Sequence, residues 1–322
     1  MSKYFKVLSV SFTLVFLLII YFYFIDSGSK AVFQVEPNQT GTQIAKNLKE
    51  KGIIDSELWF RAILKATGNA KNLKAGKYTL NKNISSEEAL WVLLNQNGDE
   101  VFKITLLEGY RAEEIAEQLS KYNITDPHEF LRLVKQQNLE GKLFPSTYNF
   151  LEQMQPQKVI DMMMTEFNNQ TNKLLDSAMC PLGLSKEEVI TLASIVEREA
   201  VHDEERAKIA SVYLNRLEIG KRLQADPTVQ YALGYNVRQD KYWKKNVNFR
   251  DLTIKSPYNT YRNKGLPPSP ICNPGYKSIK AVLQPEPNFR ALYFVADIDG
   301  SHVFSETYHQ HLKNIKQIKK NK

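Results

Sequence analysis

An uncharged apolar run near the N-terminus constrains the architecture of this chain more than any other feature of its sequence. Residues 7–25 read VLSVSFTLVFLLIIYFYFI, with Lys3 and Lys6 before the run and Asp26 after it. A helix of this length extends about 28 Å, which matches the hydrocarbon core of a bilayer. We predict a transmembrane helix over 7–25 rather than a cleaved signal peptide, whose apolar region is shorter and precedes a small-x-small cleavage site.

The charges that flank the apolar run set its predicted orientation. Because both lysines precede the run, the positive-inside rule places residues 1–6 in the cytoplasm and the rest of the chain outside it. The sequence therefore predicts a single-pass protein of the cell (inner) membrane whose main domain is periplasmic or extracytoplasmic.

Composition excludes several classes of protein. Of 322 residues, 43% are hydrophobic, so disorder of the whole chain is excluded. A mean hydropathy of −0.40, with one long apolar run, excludes a polytopic membrane protein. The net charge of +8 would suit nucleic acid, but the predicted export and the lack of a nucleic-acid-binding motif argue against that partner. Cys180 and Cys272 are too few for a disulfide-rich scaffold, and the sequence is compatible with either a disulfide or two thiols.

Two stretches in which a strand, a turn and an amphipathic helix follow one another indicate a repeated β/α unit. The first begins with a strand at 31–35 and continues in a helix for which Thr40 or Thr42 is the expected N-cap. The second covers 103–119. Three apolar positions recur at an offset of 71 residues: Ile44, Ala45 and Leu48 return as Ile115, Ala116 and Leu119. The repeat indicates that one small packing unit is used twice.

From residue 124 onward helical periodicity dominates, interrupted by a loop and a hairpin. Ser185 and Glu188 have the spacing of a capping box at the start of an apolar helix. Five prolines within 255–275 predict an ordered or semi-rigid loop. The segment LYFVADIDGSHVF predicts a β-hairpin that turns at Asp299 and Gly300. The predicted fold class is α+β, with an N-terminal transmembrane helix, small β/α units, and a mixed, mainly helical domain with a C-terminal β-hairpin.

The helix that begins after Ser185 carries two glutamates at its end, Glu197 and Glu199. Nearly continuous apolar residues precede them, so both carboxylates flank a buried arc, at its opposite edges. Burial against apolar neighbours raises the pKa of a carboxyl, which allows it to act as a general acid near neutral pH. Two surface glutamates at a helix end are the alternative, and helical geometry does not choose between the two residues.

Polar and aromatic residues farther along the chain are candidates for binding a sugar. Gln224 and Asp226 precede a predicted helix, where Asp226 could equally serve as an N-cap before Pro227. Tyr258, Asn259 and Tyr261 adjoin the proline-rich loop and suit stacking on sugar faces and bonding to hydroxyl and N-acetyl groups. Packing of these tyrosines into the loop is the alternative. No spacing of histidines or cysteines indicates a metal site.

Five blocks in order resemble the YceG-like family of endolytic murein transglycosylases. They are LEGKLFPSTY (139–148), LASIVEREA (192–200), LNRLEIGKRLQADPTVQYALG (214–234), SPYNTYRNKGLPPSPICNPG (256–275) and LYFVADIDGSHVF (292–304). The N-terminal anchor and the two β/α units also fit this family, in which such units are described as LysM-like. The resemblance implies a LysM-like subdomain at 31–100 and a catalytic domain at 101–322.

The resemblance also implies a reaction. It assigns the catalytic glutamate to Glu197, which would protonate the bond between N-acetylmuramic acid and N-acetylglucosamine. The muramic C6 hydroxyl would then attack C1, with Glu197 now acting as base, and a 1,6-anhydro ring would form with no metal or other cofactor. Cleavage of nascent strands would end their elongation. Implied partners are peptidoglycan glycan strands, the membrane and the peptidoglycan synthases. Two alternatives stay open: a non-catalytic peptidoglycan-binding envelope protein, and a glycoside hydrolase that uses Asp226 or Glu199 as a second carboxylate.

Overall fold

The computed structural model of the chain describes residues 29–36, 39–95 and 101–321. The predicted transmembrane segment at 7–25 lies outside these residues. Within the described part of the chain, no helix has the length and apolar character needed to cross a membrane.

The chain divides into two compact units between Phe102 and Lys103. The first unit follows the order strand, two helices, strand, helix. Its elements are β1 (Lys30–Val35), α1 (Gly41–Glu50), α2 (Glu57–Thr67), β2 (Gly76–Asn81) and α3 (Ser86–Asn95). β1 and β2 pair antiparallel, with Lys30 opposite Asn81 and Val35 opposite Gly76. The assignment of this range as a LysM-like subdomain stays a prediction.

Local sequence explains how the helices of the first unit begin. The Thr40 hydroxyl accepts a hydrogen bond from the Gln43 backbone N–H, and the Gln43 Oε1 accepts one from the Thr40 backbone N–H, forming a capping box. Thr40 is therefore the N-cap of α1, one of the two residues predicted for it. The repeated apolar positions Ile44, Ala45 and Leu48 are buried against the two strands and the other helices.

The second unit is mainly helical. Strand β3 (Val101–Thr105) begins at the end of the first unit. The elements that follow it are α4 (Ala112–Lys121), α5 (Pro127–Gln136), β4 (Thr147–Leu151), α6 (Pro156–Ser177), α7 (Lys186–Glu199), α8 (Arg206–Glu218), α9 (Asp226–Leu233), α10 (Tyr276–Leu283), β5 (Tyr293–Ala296), β6 (His302–Ser305) and α11 (Tyr308–Asn321). From Lys103 onward, β3 pairs with β4. β5 and β6 form an antiparallel hairpin. The α+β class and the C-terminal hairpin predicted from the sequence are thus confirmed.

Helix α7 is the centre of the hydrophobic core of the second unit. Every residue from Val189 to Val196 is buried, because the helix packs against α8, α9 and α10. Ser185 caps it and forms the predicted capping box with Glu188. A helix surrounded in this way has a rigid C-terminal end, so the two glutamates that follow Val196 are held in fixed directions.

Hydrogen bonds hold the proline-rich loop against this core. The side-chain Oδ1 of Asn273 accepts hydrogen bonds from the backbone N–H groups of Gly141 and Leu143, both at 2.9 Å. The Ile271 N–H donates to the Ser194 hydroxyl on α7 at 3.0 Å. Cys272 is buried, and both Cys180 and Cys272 are free thiols, which answers the question that the sequence left open.

Candidate active site

The two glutamates at the end of α7 lie in different surroundings. Glu197 forms a buried ion pair with Arg206, in which its Oε1 accepts a hydrogen bond from the Arg206 Nη1 at 2.9 Å. Its Oε2 accepts a hydrogen bond from the Gly275 backbone N–H, also at 2.9 Å. The Glu197 and Arg206 side chains are 5% and 9% exposed. Both carboxylate oxygens of Glu197 therefore accept a hydrogen bond from a donor that the fold holds in place.

The partners of Glu197 join three helices. Gly275 is the N-cap of α10, whose N-terminus favours a negative charge. Arg206 begins α8 and also donates to the Ser278 hydroxyl of α10 at 2.6 Å. The Glu197 carboxylate therefore holds α7, α8 and α10 together at one point.

A further carboxylate, Glu108, adjoins this ion pair and was not identified from the sequence. A methyl group added at Gly275 would collide with the Glu108 carboxylate, so the two residues are in close contact. Burial, and then the negative charge of Glu197, raise the pKa of Glu108. Glu108 lies in the turn before α4 and is exposed, and no periodic pattern in the sequence singles it out.

Glu199 points instead into a cavity of about 410 Å³. Its Oε1 accepts a hydrogen bond from the Tyr213 hydroxyl at 2.6 Å. Burial raises the pKa of Glu199 to about 7, with Asp226 adding to the effect, while the bond from Tyr213 and the charge of Arg216 oppose it. The pKa of Tyr213 is itself raised well above its ordinary value by burial. Glu199 thus has the properties of a general acid near neutral pH.

The same cavity contains three of the predicted binding residues. Gln224, Asp226 and Tyr261 all line it, together with aromatic rings from the C-terminal hairpin and α11. The Tyr261 hydroxyl donates to the Asp226 Oδ1 at 2.6 Å. Polar groups that converge among aromatic side chains are typical of a small-ligand site.

The conformation of the segment before α9 supports a binding role. Gln224 has a φ of +51°, a left-handed conformation that is uncommon for a residue with a side chain. Such strain collects at functional sites. Asp226 is the first residue of α9, whose N-cap is Ala225, and its side chain makes no capping bond. The capping role considered for Asp226 from the sequence is therefore wrong, and its carboxylate faces the cavity.

The other two predicted binding residues lie elsewhere. Asn259 is 0% exposed, and its amide N–H groups donate to the Leu252 and Ile254 carbonyls, both at 2.9 Å. The structure gives Asn259 a role inside the loop instead of on a ligand, because its polar atoms are already bonded. The Tyr258 hydroxyl is hydrogen-bonded to the Ser269 hydroxyl at 2.6 Å, and the Tyr258 ring packs against the Tyr231 ring. It is not among the residues that line the cavity.

Arg216 and His302 are among the residues of the cavity wall that the sequence did not identify. Arg216 lines the cavity and donates to backbone carbonyls of Leu223 and Leu292. His302, at the start of β6, lines it as well and is bonded to Glu205. His302 lies in the hairpin block LYFVADIDGSHVF, which indicated secondary structure and the family resemblance but not a site residue.

Comparison with known proteins identifies relatives over most of the chain. Residues 33–317 match the YceG-like family. An endolytic murein transglycosylase of Bacillus subtilis (strain 168) is 33% identical, over 89% of this chain and 84% of the relative. An endolytic murein transglycosylase of Streptococcus pneumoniae (strain ATCC BAA-255 / R6) is 30% identical over 90% of this chain, which spans 59% of that relative.

A crystal structure supports the same relationship. The YceG-like protein from Listeria monocytogenes superposes with a TM-score of 0.57 at 30% identity, over 88% of this chain and 98% of that protein. The fold and the cavity define an α+β protein with a buried carboxyl group placed for acid–base chemistry. The chain belongs to the YceG-like family.

Proposed function

We propose that this chain is a murein transglycosylase, a lyase that cleaves the glycan strands of peptidoglycan. Its relatives in B. subtilis and S. pneumoniae, both endolytic murein transglycosylases, support the substrate and the reaction class. The observation that carries the proposal is the cavity in which Glu199 lies among Gln224, Asp226 and Tyr261. A protonated carboxyl group beside polar and aromatic side chains is what cleavage of a glycosidic bond requires.

Glu199 is the general acid of the proposed reaction. Its proton passes to the oxygen between N-acetylmuramic acid and N-acetylglucosamine as the bond from that oxygen to the muramic C1 breaks. The muramic C6 hydroxyl attacks C1, a base in the cavity takes the hydroxyl proton, and a 1,6-anhydro ring forms. Gln224, Asp226 and Tyr261 bind the sugar. Assignment of this role to Glu197 stays a prediction of the sequence resemblance, while the geometry favours Glu199.

The setting of the reaction is part of the proposal. The uncharged run at 7–25 supports a single-pass anchor in the cell membrane, with the catalytic domain at 101–322 outside the cytoplasm. Tethering raises the local concentration near membrane-bound peptidoglycan synthases, where endolytic cuts in nascent strands would end elongation. The LysM-like range at 31–100 would contact the same glycan.

Product analysis tests the proposed reaction. The full-length protein, in detergent or liposomes, is incubated with purified uncrosslinked glycan strands, and the ends of the products are identified by mass spectrometry. We expect 1,6-anhydro-muramic ends, each formed without addition of water. Because Asp226 lines the same cavity, hydrolysis is the second candidate, and it would give reducing ends one water heavier. Bound glycan that stays uncut would contradict both and favour a binding protein.

The pH profile gives an independent prediction. Burial and the charge of Asp226 raise the pKa of the Glu199 carboxyl to about 7, against the opposing effects of Tyr213, Arg216 and Arg198. A general acid works only while protonated, so kcat/KM should fall about tenfold per pH unit once the pH exceeds about 7. The profile is measured with strands of fixed length between pH 5 and 9. Activity that stays constant up to pH 9 would contradict this role for Glu199.

A further inference from the structure

The aromatic rings that line the cavity differ in how far they are open to solvent. Four of them are buried or half-buried in its wall: Tyr213, Tyr261, Tyr293 and Phe294. Tyr308, the first residue of α11, lines the same cavity but is 59% exposed. A side chain that belongs to the wall and is also largely open to solvent lies where the cavity opens. Within the part of the chain that the structure describes, Tyr308 is thus the aromatic residue at the cavity mouth.

Two further rings support the Tyr308 ring. Its centroid lies 5.7 Å from that of Tyr293 in β5, at an interplanar angle of 48°, and 6.3 Å from that of His311, one turn along α11. Tyr293 and His311 stack on each other with centroids 5.3 Å apart. The Lys221 Nζ donates to the Tyr293 hydroxyl at 2.7 Å and lies 4.5 Å from the centroid of its ring. Because packed neighbours already restrict the Tyr308 ring, a ligand that covers its open face costs little side-chain entropy.

The open face of Tyr308 has the chemistry that a sugar ring requires. A pyranose presents C–H groups on its faces and hydroxyl groups around its edge. A flat aromatic ring matches the face, and the phenolic hydroxyl of a tyrosine can bond to the edge. The exposed ring therefore suits a sugar that lies partly outside the cavity.

The size of the cavity places such a sugar along the strand. A volume of about 410 Å³ is near the lower end for ligand sites, so the cavity holds the sugars beside the reacting bond and not a long strand. Cleavage within a strand requires the strand to continue beyond the cavity. The continuing strand leaves through the mouth, where Tyr308 offers its open face.

We propose that Tyr308 forms a sugar subsite outside the reacting centre, where its ring stacks on a pyranose of the strand that leaves the cavity. The assignment rests on the proposed function and adds a length preference to it. Strands long enough to reach Tyr308 bind more tightly than strands that end inside the cavity. The contact is the same before and during the reaction, so it lowers KM and leaves kcat unchanged.

A series of uncrosslinked glycan strands of defined length tests the subsite with the full-length protein. For the wild type, KM per cleavable bond should fall at the length that first reaches Tyr308, while kcat stays constant. Tyr308→Leu places a good helix former at the start of α11 but has no flat face. This fall should therefore disappear, and KM for the longest strands should rise about tenfold.

Two aromatic variants separate stacking from a structural role. Tyr308→Phe keeps the ring and should keep the fall in KM. Tyr308→Trp enlarges the flat face and should lower KM for the longest strands below that of the wild type, a result that does not depend on the folding of Tyr308→Leu. Tyr235→Leu is the matched control, because Tyr235 is also an exposed tyrosine, at 44%, and is not among the residues that line the cavity. It should leave KM unchanged at every length.

Three results would overturn the subsite. They are a wild-type length dependence in Tyr308→Leu, a loss of kcat by the same factor at all lengths in that variant, and a Tyr308→Trp variant with the KM of the wild type. Products without 1,6-anhydro ends would instead contradict the proposed reaction. Equilibrium binding of the same strands to the wild type and Tyr308→Leu would then still test the subsite, because stacking does not depend on which ends the products carry.

Discussion

Glu199→Gln is expected to lower kcat/KM for glycan cleavage about 10³-fold, because the amide preserves the shape of the side chain but cannot transfer a proton. This loss corresponds to about 4 kcal/mol of transition-state stabilisation. The Tyr213 hydroxyl can still donate to the amide oxygen, so the cavity should keep its shape and KM should change little. Initial rates of release of anhydro ends by the wild type and the variant measure the effect.

Glu197→Gln is the matched control, since it makes the same chemical change two residues away on the same helix. We expect it to weaken the contact with Arg206 and to lower stability, while the folded fraction keeps most of its kcat. The comparison decides between two assignments. If Glu197→Gln is folded and inactive while Glu199→Gln cleaves normally, the assignment from the sequence resemblance is right and the one from the cavity is wrong.

The separation of the two glutamates follows from helix geometry. Residues two apart on an α-helix point about 200° from each other, so two neighbouring acids at the end of α7 must face different partners. Glu197 meets the start of α10 and the guanidinium of Arg206. Glu199 meets Tyr213 and the cavity. One helix thus supplies a structural anion and a candidate acid.

Local signals in the sequence predicted the elements that depend on neighbouring residues. The Thr40 and Ser185 caps, the burial of α7 and the hairpin turn at Gly300 all depend on residues within a few positions of one another. Periodicity and capping preferences act over that range, so they are visible in a single sequence.

These local signals do not identify the residues with which the charged side chains pair. Glu197 accepts a hydrogen bond from Gly275, which is 78 residues away in the sequence, and Glu205 is hydrogen-bonded to His302, which is 97 residues away. A helical wheel gives the direction of a side chain but not the group it meets. Asn259 shows the same limit, because an amide in a loop can bind a ligand or the loop itself, and only the positions of Leu252 and Ile254 decide.

The ion pair of Glu197 and Arg206 leads to the largest expected effect on stability. Arg206→Met should destabilise the second unit by about 3–5 kcal/mol, because it leaves a buried carboxylate without its cation. It also removes the donor to Ser278, so α8 and α10 lose a direct bond. Amide hydrogen exchange in α7, α8 and α10 measures the free energy of opening where the pair acts.

Two further variants separate the charge effect from the loss of side-chain packing. Arg132→Met removes an arginine from an exposed pair with Glu129, and it should change exchange far less because solvent screens that pair. The double variant Glu197→Leu/Arg206→Met removes both charges and should recover much of the stability that Arg206→Met loses, since apolar pairs often replace buried ion pairs without cost. A double variant less stable than Arg206→Met would show that the carboxylate stabilises the helix junction through Gly275 alone. The uncompensated charge would then not be the source of the loss, and the role assigned here to the pair would be wrong.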